Sequence, residues 1–210
     1  MGMIMHKILT RADQRSHASD FESMYRARAA VFHDRLGWDV VVRDGLEYDR
    51  YDLEHDPVYI VTQDEAGHLT GSLRLLPTTG PTMLKNEFAS FFNEPVDFES
   101  PTAWECTRFC VHPSAHRTTR DDLRPVSSQL LIGLCELALS SGIENIVGLY
   151  DTRMLRIYAR IGWSPNTLAT CKPELENLLV GIWDVSESVL NEMRLRVSTN
   201  STKLAGTIAA

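Results

Sequence analysis

Cysteine is scarce and unpaired: only positions 106, 110, 135 and 171 carry it, and no C-x-x-C occurs. That pattern speaks against a structural zinc site or a disulfide framework, and Cys106 and Cys110 are expected as buried thiols on one face of a strand. Apolar runs are all far shorter than a bilayer crossing requires. The opening MGMIMHKIL lacks a basic stretch, a long apolar segment and a small-residue cleavage site, so the expected compartment is the cytoplasm. No Gly/Ser/Pro-rich linker and no repeat divides the 210 residues, which therefore read as one domain. Positive charge is in deficit, with 21 Lys and Arg against 28 Asp and Glu for a net charge of -7. A general nucleic-acid binder needs the opposite balance. G-x-S-x-G, Walker, H-E-x-x-H and G-x-G-x-x-G motifs are missing too, which removes support for serine-hydrolase, P-loop, zincin and dinucleotide chemistry.

What is present is organised around Trp104-Glu105-Cys106-Thr107-Arg108-Phe109-Cys110-Val111, a strand-like apolar run with an acid and an arginine inside it. Charges in such a run are costly unless each meets an opposite charge or a ligand. Arg28, Asp49, Asp52 and Arg74 lie in similarly ordered contexts, and six such charges suggest one shared cleft. Strict alternation would put Glu105 and Arg108 on opposite faces, so a bulge or splay is expected near Cys106 to Arg108.

In chain order, Ser19 and Glu22 suggest a capping box opening a helix from about Asp20 to Leu36, with Gly37 as its stop. Arg28 falls on the inward stripe of that helix with Phe21, Met24, Tyr25 and Phe32. The segment Glu47 to Asp52 reads as irregular and offers aspartates to a buried guanidinium. Val58 to Gln63 and His68 to Leu76, joined by Asp64-Glu65-Ala66-Gly67, form a predicted hairpin. Met83 to Phe92 is a short helix or turn, followed by the central strand. Then come a helix from Pro125 to Ser141, a strand from Ile143, a helix from Arg153 to Ile161, a strand from Leu179 and a last helix ending near Arg196. The tail from Val197 reads as loose. The fold class is α/β, a mixed twisted sheet with helices on both faces. His112 and His116 are expected as plain surface residues and receive no role.

Taken together, Arg28, Phe32 and Trp38 in R-A-A-V-F-H-D-R-L-G-W, Asp49 and Asp52 in E-Y-D-R-Y-D, Arg74 in G-S-L-R-L-L-P, Phe88, and Glu105 with Arg108 in W-E-C-T-R-F resemble the acyl-homoserine-lactone synthases of the LuxI type. The resemblance runs from about Tyr25 to Trp163. It implies a fold related to the GNAT-type N-acetyltransferases and a transfer of an acyl group from acyl carrier protein, or in some members acyl-CoA, to the amine of S-adenosylmethionine. Lactone closure then expels methylthioadenosine and yields a quorum-sensing signal. S-adenosylmethionine is a substrate, and no cofactor or metal is expected. The resemblance also implies catalytic roles for Glu105 and Arg108, and substrate binding by Arg28, Phe32, Trp38, Asp49, Asp52, Arg74, Phe88 and Phe109.

Residue chemistry agrees with these roles. A sulfonium suits an aromatic face such as Trp38 with carboxylates nearby, and a buried Glu105 is a candidate base for the substrate ammonium. Arg153, Arg156, Arg160 and Lys172 lie in a stretch without an acid and are candidates for docking an acidic carrier protein. The loop His112-Pro113-Ser114-Ala115-His116 has no glycine to cradle a pyrophosphate, which favours a carrier protein over free CoA. Val147, Gly148, Leu149 and Met154 are candidate acyl-pocket lining. Gly148 stands where a threonine accompanies 3-oxo products in the family, so an acyl chain unsubstituted at carbon 3 is expected, with extra room beside it. The competing reading is an acetyl-CoA-dependent N-acetyltransferase, which would have no need of S-adenosylmethionine.

Overall fold

The computed structural model describes residues 5–113 and 124–208, and the loop segment with His116 lies outside them. The chain packs as two compact units, Met1–Leu75 with Arg108–Gly133 and Leu76–Thr107 with Leu134–Ala210. The sequence reads as one domain because each crossing between units falls inside an element. The crossings lie in β5 (Leu69–Pro77), β6 (Ala103–Val111) and α3 (Arg124–Ser140), so no linker composition marks them.

In the first unit, β1 (Met5–Thr10) pairs antiparallel with β4 (Val58–Gln63), which pairs antiparallel with β5. Residues Leu69 to Leu76 of β5 are buried without a break, so both faces are covered. The first helix, α1 (Ala18–Arg28), continues as a wider π-helical segment over Ala29–Arg35 and ends at Gly37 with φ +65°. It begins a residue ahead of the predicted Ser19 cap, after His17, which makes no side-chain capping bond. Its buried side, Phe21, Met24 and Tyr25, packs with Leu9, Tyr59, Val61 and Leu69. Arg28 is on the same buried side, as predicted. The stretch read as irregular is ordered: β2 (Val42–Arg43) and β3 (Leu46–Glu47) form a small hairpin through Asp44 and Gly45, both at positive φ. Helix α2 (Arg50–Glu54) follows at once, capped by Asp49.

In the second unit, β7 (Asn145–Asp151) lies parallel to the start of β6, and β9 (Leu178–Asp184) is antiparallel to both β7 and β8 (Asn166–Thr170). Helices α4 (Leu155–Ile161) and α5 (Glu187–Ile208) complete it. The α5 helix passes the expected end near Arg196 and runs to Ile208. Its Ser, Thr and Ala residues are tolerated in a helix, and no proline interrupts them. The strand order is β1-β4-β5-β6-β7-β9-β8, a seven-stranded mixed sheet.

The predicted irregularity in β6 is present. Thr78 N–H donates to the Ala103 carbonyl, and His112 N–H donates to the Thr70 carbonyl. Eight steps along one side therefore oppose nine along the other, and β6 carries one extra residue. Burial alternates through Ala103, Glu105 and Thr107, then resumes out of phase at Cys110. Arg108, between them, has φ +53°. A left-handed non-glycine residue costs of order 1–3 kcal/mol and persists only where its surroundings hold it. The phase change also corrects the expectation that Cys106 and Cys110 share a face. Both thiols are pushed up to about 12 by burial, and the four cysteines are free.

Candidate active site

Five of the predicted charges meet in the first unit, joined by one that sequence reasoning passed over, Glu47. Arg28 donates through Nε to Glu47 and through both terminal nitrogens to Asp52, at 3.1 and 2.9 Å. Arg74 grips Asp49 with two parallel bonds of 2.6 and 2.9 Å and reaches Asp52 Oδ1 at 3.0 Å. Arg108 donates to Glu47 at 3.1 and 3.0 Å and to Asp49 at 3.0 Å. Three guanidinium groups thus face three carboxylates, and among these six groups the formal charges cancel. This is the arrangement in which buried ions are tolerated. It also explains how Arg108 is held in its left-handed conformation.

Burial alone would push Asp52 up, but Arg28 and Arg74 more than reverse it and leave the carboxyl well below the usual range. Burial pulls the Arg108 guanidinium down, opposed by Glu47 and Asp49 and reinforced by Arg28 and Arg74. Asp49 differs from its two neighbours: its side chain is 21% exposed, against 1% for Glu47 and 0% for Asp52. It is positioned as the cap of α2, accepting the Tyr51 N–H at 2.9 Å, while Asp52 accepts the Asp49 N–H at 2.9 Å. A sequence signal for Glu47 exists, since it precedes the E-Y-D-R-Y-D aspartates. What hides its role is the hairpin that turns it inward.

Beside this cluster, Phe32 and Trp38 stack with ring centroids 5.0 Å apart and planes 7° apart. Phe32 also lies under the Arg108 guanidinium at 5.7 Å. Phe32 is buried, whereas Trp38 is 47% exposed and presents an open aromatic face. Phe109 is half-buried.

In the second unit, Glu105 is 1% exposed. Its Oε2 accepts the Met83 N–H at 2.8 Å and its Oε1 the Leu84 N–H at 2.9 Å. The carboxylate thus anchors the Met83–Leu84 turn, a role that a strand sequence cannot reveal. Leu84 packs with Phe92, Val147 and Val180, and Phe88 and Leu149 flank that cluster.

Two acyl-pocket expectations change here. Val147 and Leu149 share this apolar cluster, but Gly148 alternates to the other face of β7. The expected spare room is absent, because a Cβ at Gly148 would lie 2.9 Å from the Cys106 carbonyl oxygen. Glycine lets the β6 backbone approach β7 closely. Met154 is half-buried in the turn Thr152–Met154 and is not part of the cluster. Arg153, Arg156 and Arg160 are exposed and Lys172 is half-buried, though Arg153 is tied to Asp151 by two bonds of 2.8 and 2.6 Å. His112, expected at the surface, is instead buried against Ser72, 3.0 Å from its hydroxyl.

The autoinducer synthase family model matches residues 12–193. The chain belongs to this family. A curated acyl-homoserine-lactone synthase of Rhizobium etli is 56% identical over 194 residues, covering 92% of this chain and 91% of its own. The chain is accordingly an acyl-homoserine-lactone synthase, an acyltransferase. Among solved structures, a CoA-dependent acyl-homoserine lactone synthase, BjaI, with SAM and isopentyl-CoA shares the fold at a TM-score of 0.77 and 22% identity, over 94% of this chain and 90% of that one. An N-acetyltransferase from Lactobacillus plantarum, described as putative, shares it more distantly, at a TM-score of 0.55 and 17% identity, covering 87% and 99%. The expected relation to acetyltransferase folds therefore holds for the synthase. Among its described residues, no helix is long and apolar enough to cross a membrane and no group of His, Cys, Asp and Glu could hold a metal ion.

Proposed function

We propose that the synthase acylates the amine of S-adenosylmethionine from an acyl carrier protein thioester and then closes the lactone, making a cytoplasmic quorum-sensing signal. The observation that carries this reading is the one partly exposed carboxylate of a charge-balanced cluster, Asp49, in company with the open face of Trp38. A sulfonium or ammonium is attracted by both, and Asp49, though paired with Arg74 and Arg108, is the acid of the three that solvent reaches. Arg28, Arg74 and Arg108 shape this pocket, and Phe32 backs Trp38; Phe88 and Phe109 are further substrate contacts.

In the proposed reaction the substrate ammonium passes a proton to Glu105, through water. The freed nitrogen attacks the thioester carbonyl, an N–C bond replaces the C–S bond, and the thiolate leaves with a proton. The substrate carboxylate then attacks the γ-carbon, and the C–S bond to the sulfonium breaks to give neutral methylthioadenosine and the lactone. Glu105 and Arg108 are the proposed catalytic pair.

The exposed Arg156 and Arg160, with Arg153 and Lys172, support docking of an acidic carrier protein. An acyl chain unsubstituted at carbon 3 is the proposed substrate, because the apolar lining offered by Val147 and Leu149 has no side-chain donor for a 3-oxo oxygen. The test supplies S-adenosylmethionine with acyl carrier protein, acyl-CoA or 3-oxo-acyl carrier protein of equal chain length and follows lactone and methylthioadenosine by mass spectrometry. Both products, with the unsubstituted carrier thioester preferred, are expected. Preference for acyl-CoA overturns the donor assignment, preference for the 3-oxo chain overturns the carbon-3 assignment, and absence of methylthioadenosine overturns the reaction.

A further inference from the structure

We propose that Tyr59, outside every motif of the family resemblance, is a positioning residue for the cationic substrate and acts through Asp52. This rests on the proposed use of S-adenosylmethionine at the Asp49 pocket. Tyr59 sits on β4 directly opposite Arg74 of β5. Its hydroxyl donates to Asp52 Oδ1 at 2.6 Å. The same oxygen meets Arg28 and Arg74 at 3.1 and 3.0 Å, and Oδ2 accepts from Arg28 and from the Asp49 backbone, both at 2.9 Å. Asp52 is held by these five donor contacts and its side chain is fully buried, so it is a hub rather than a substrate ligand.

The two arginines do not fix that hub by themselves. Arg28 divides its donors between Glu47 and Asp52, and Arg74 between Asp49 and Asp52, so ion pairing alone permits other divisions of the same six groups. Tyr59 is different because its ring belongs to the apolar core, packed with Leu9, Phe21, Met24 and Val61 and edge-on to Phe21 at 5.5 Å. Its hydroxyl therefore ties the charge network to a rigid reference. Tyr25 belongs to the same core cluster, with its ring 5.3 Å from the Arg28 guanidinium. From Asp52 the constraint passes to the Asp49 N–H and to Arg74, and so to the carboxylate that is open to substrate.

The test is Tyr59→Phe, which deletes one hydroxyl and keeps the ring. Calorimetric Kd and kinetic KM for S-adenosylmethionine are expected to rise about tenfold, as for a lost hydrogen bond to a charged group. The KM for the acyl donor and kcat at saturation stay within about twofold. An unchanged Kd, or a loss spread over kcat and both KM values in step with the melting temperature, overturns the proposal. Fluorotyrosine at 59 is the second variant, and it carries the test where Tyr59→Phe does not fold. Its stronger donor should keep or tighten binding, and a weaker affinity refutes the role. Wild-type protein that neither binds S-adenosylmethionine nor releases methylthioadenosine would instead refute the underlying function.

Discussion

Glu105 combines an observed backbone anchor with the proposed role of base, and a single substitution addresses both. Both of its oxygens accept backbone N–H groups, from Met83 and Leu84. Glu105→Gln keeps the shape but turns an NH2 toward one of those donors, and a buried unsatisfied group costs about 1–3 kcal/mol. The variant is expected to unfold at lower urea by that amount and to lose acylation in a single-turnover assay. Acylation at the wild-type rate would remove Glu105 from the base role, whereas unchanged stability would deny the anchoring role. The charge of Glu105 is visible in the sequence. Its partners are not, because they lie more than twenty residues away and are backbone atoms with no residue signature.

Within the elements, β6 and β7 together decide the meaning of Gly148. Their parallel pairing is Ala103 with Asn145, Trp104 with Ile146 and Glu105 with Val147. At the next position the Cys106 carbonyl lies where a Gly148 side chain would begin. Gly148→Ala and Gly148→Thr should therefore each lose roughly 1–3 kcal/mol in denaturant melts, the ordinary cost of overpacking. The two losses should be similar, since the first added carbon meets a backbone atom that cannot swing away. A Thr variant as stable as wild type would show that β6 yields at this point and would restore the idea of spare room. The extra residue in β6 belongs to the same scale. Charge placement made an irregularity at Cys106 to Arg108 foreseeable, but its left-handed Arg108 depends on Glu47 and Asp49, far away in the chain.

For the whole molecule, the buried His112 makes stability depend on pH. Burial lowers its pKa from an ordinary 6.5 to about 4. Between those values the unfolded chain binds a proton that the folded chain does not, so this contribution is present above 6.5, lost as pH falls toward 4, and constant below that. The full loss is roughly 3 kcal/mol by the conversion of pKa shift to free energy. The urea midpoint should drop between pH 7.5 and 4.5, and His112→Gln should flatten the part of that slope owed to the imidazole. An equal slope in the variant would assign the pH dependence to the carboxylates. Asp52, whose folded pKa is depressed, adds stability that is present above its unfolded value and lost as pH falls through its lowered folded value.

Periodicity and turn chemistry sufficed for the hairpin of β4 and β5, the central strand, the inward stripe of α1 and the order of the later helices and strands. Each of these is a local preference with a burial pattern of its own. The clustered charges also declared themselves, because Arg28, Asp49, Asp52, Arg74 and Arg108 are too costly in such contexts to go unpaired. The edge strands β1 and β8 escaped because an edge strand needs a partner more than a pattern: β8 is mostly exposed along its length and carries no clean alternation. Glu47 and Tyr59 join the charge cluster only through the β2–β3 hairpin and the β4–β5 register. The division into units falls within β5, β6 and α3, where continuous secondary structure leaves no local mark. Residue chemistry thus determined which groups had to be paired, while the pairing itself, and the face on which Gly148 and His112 came to lie, was decided by contacts between segments distant in the chain.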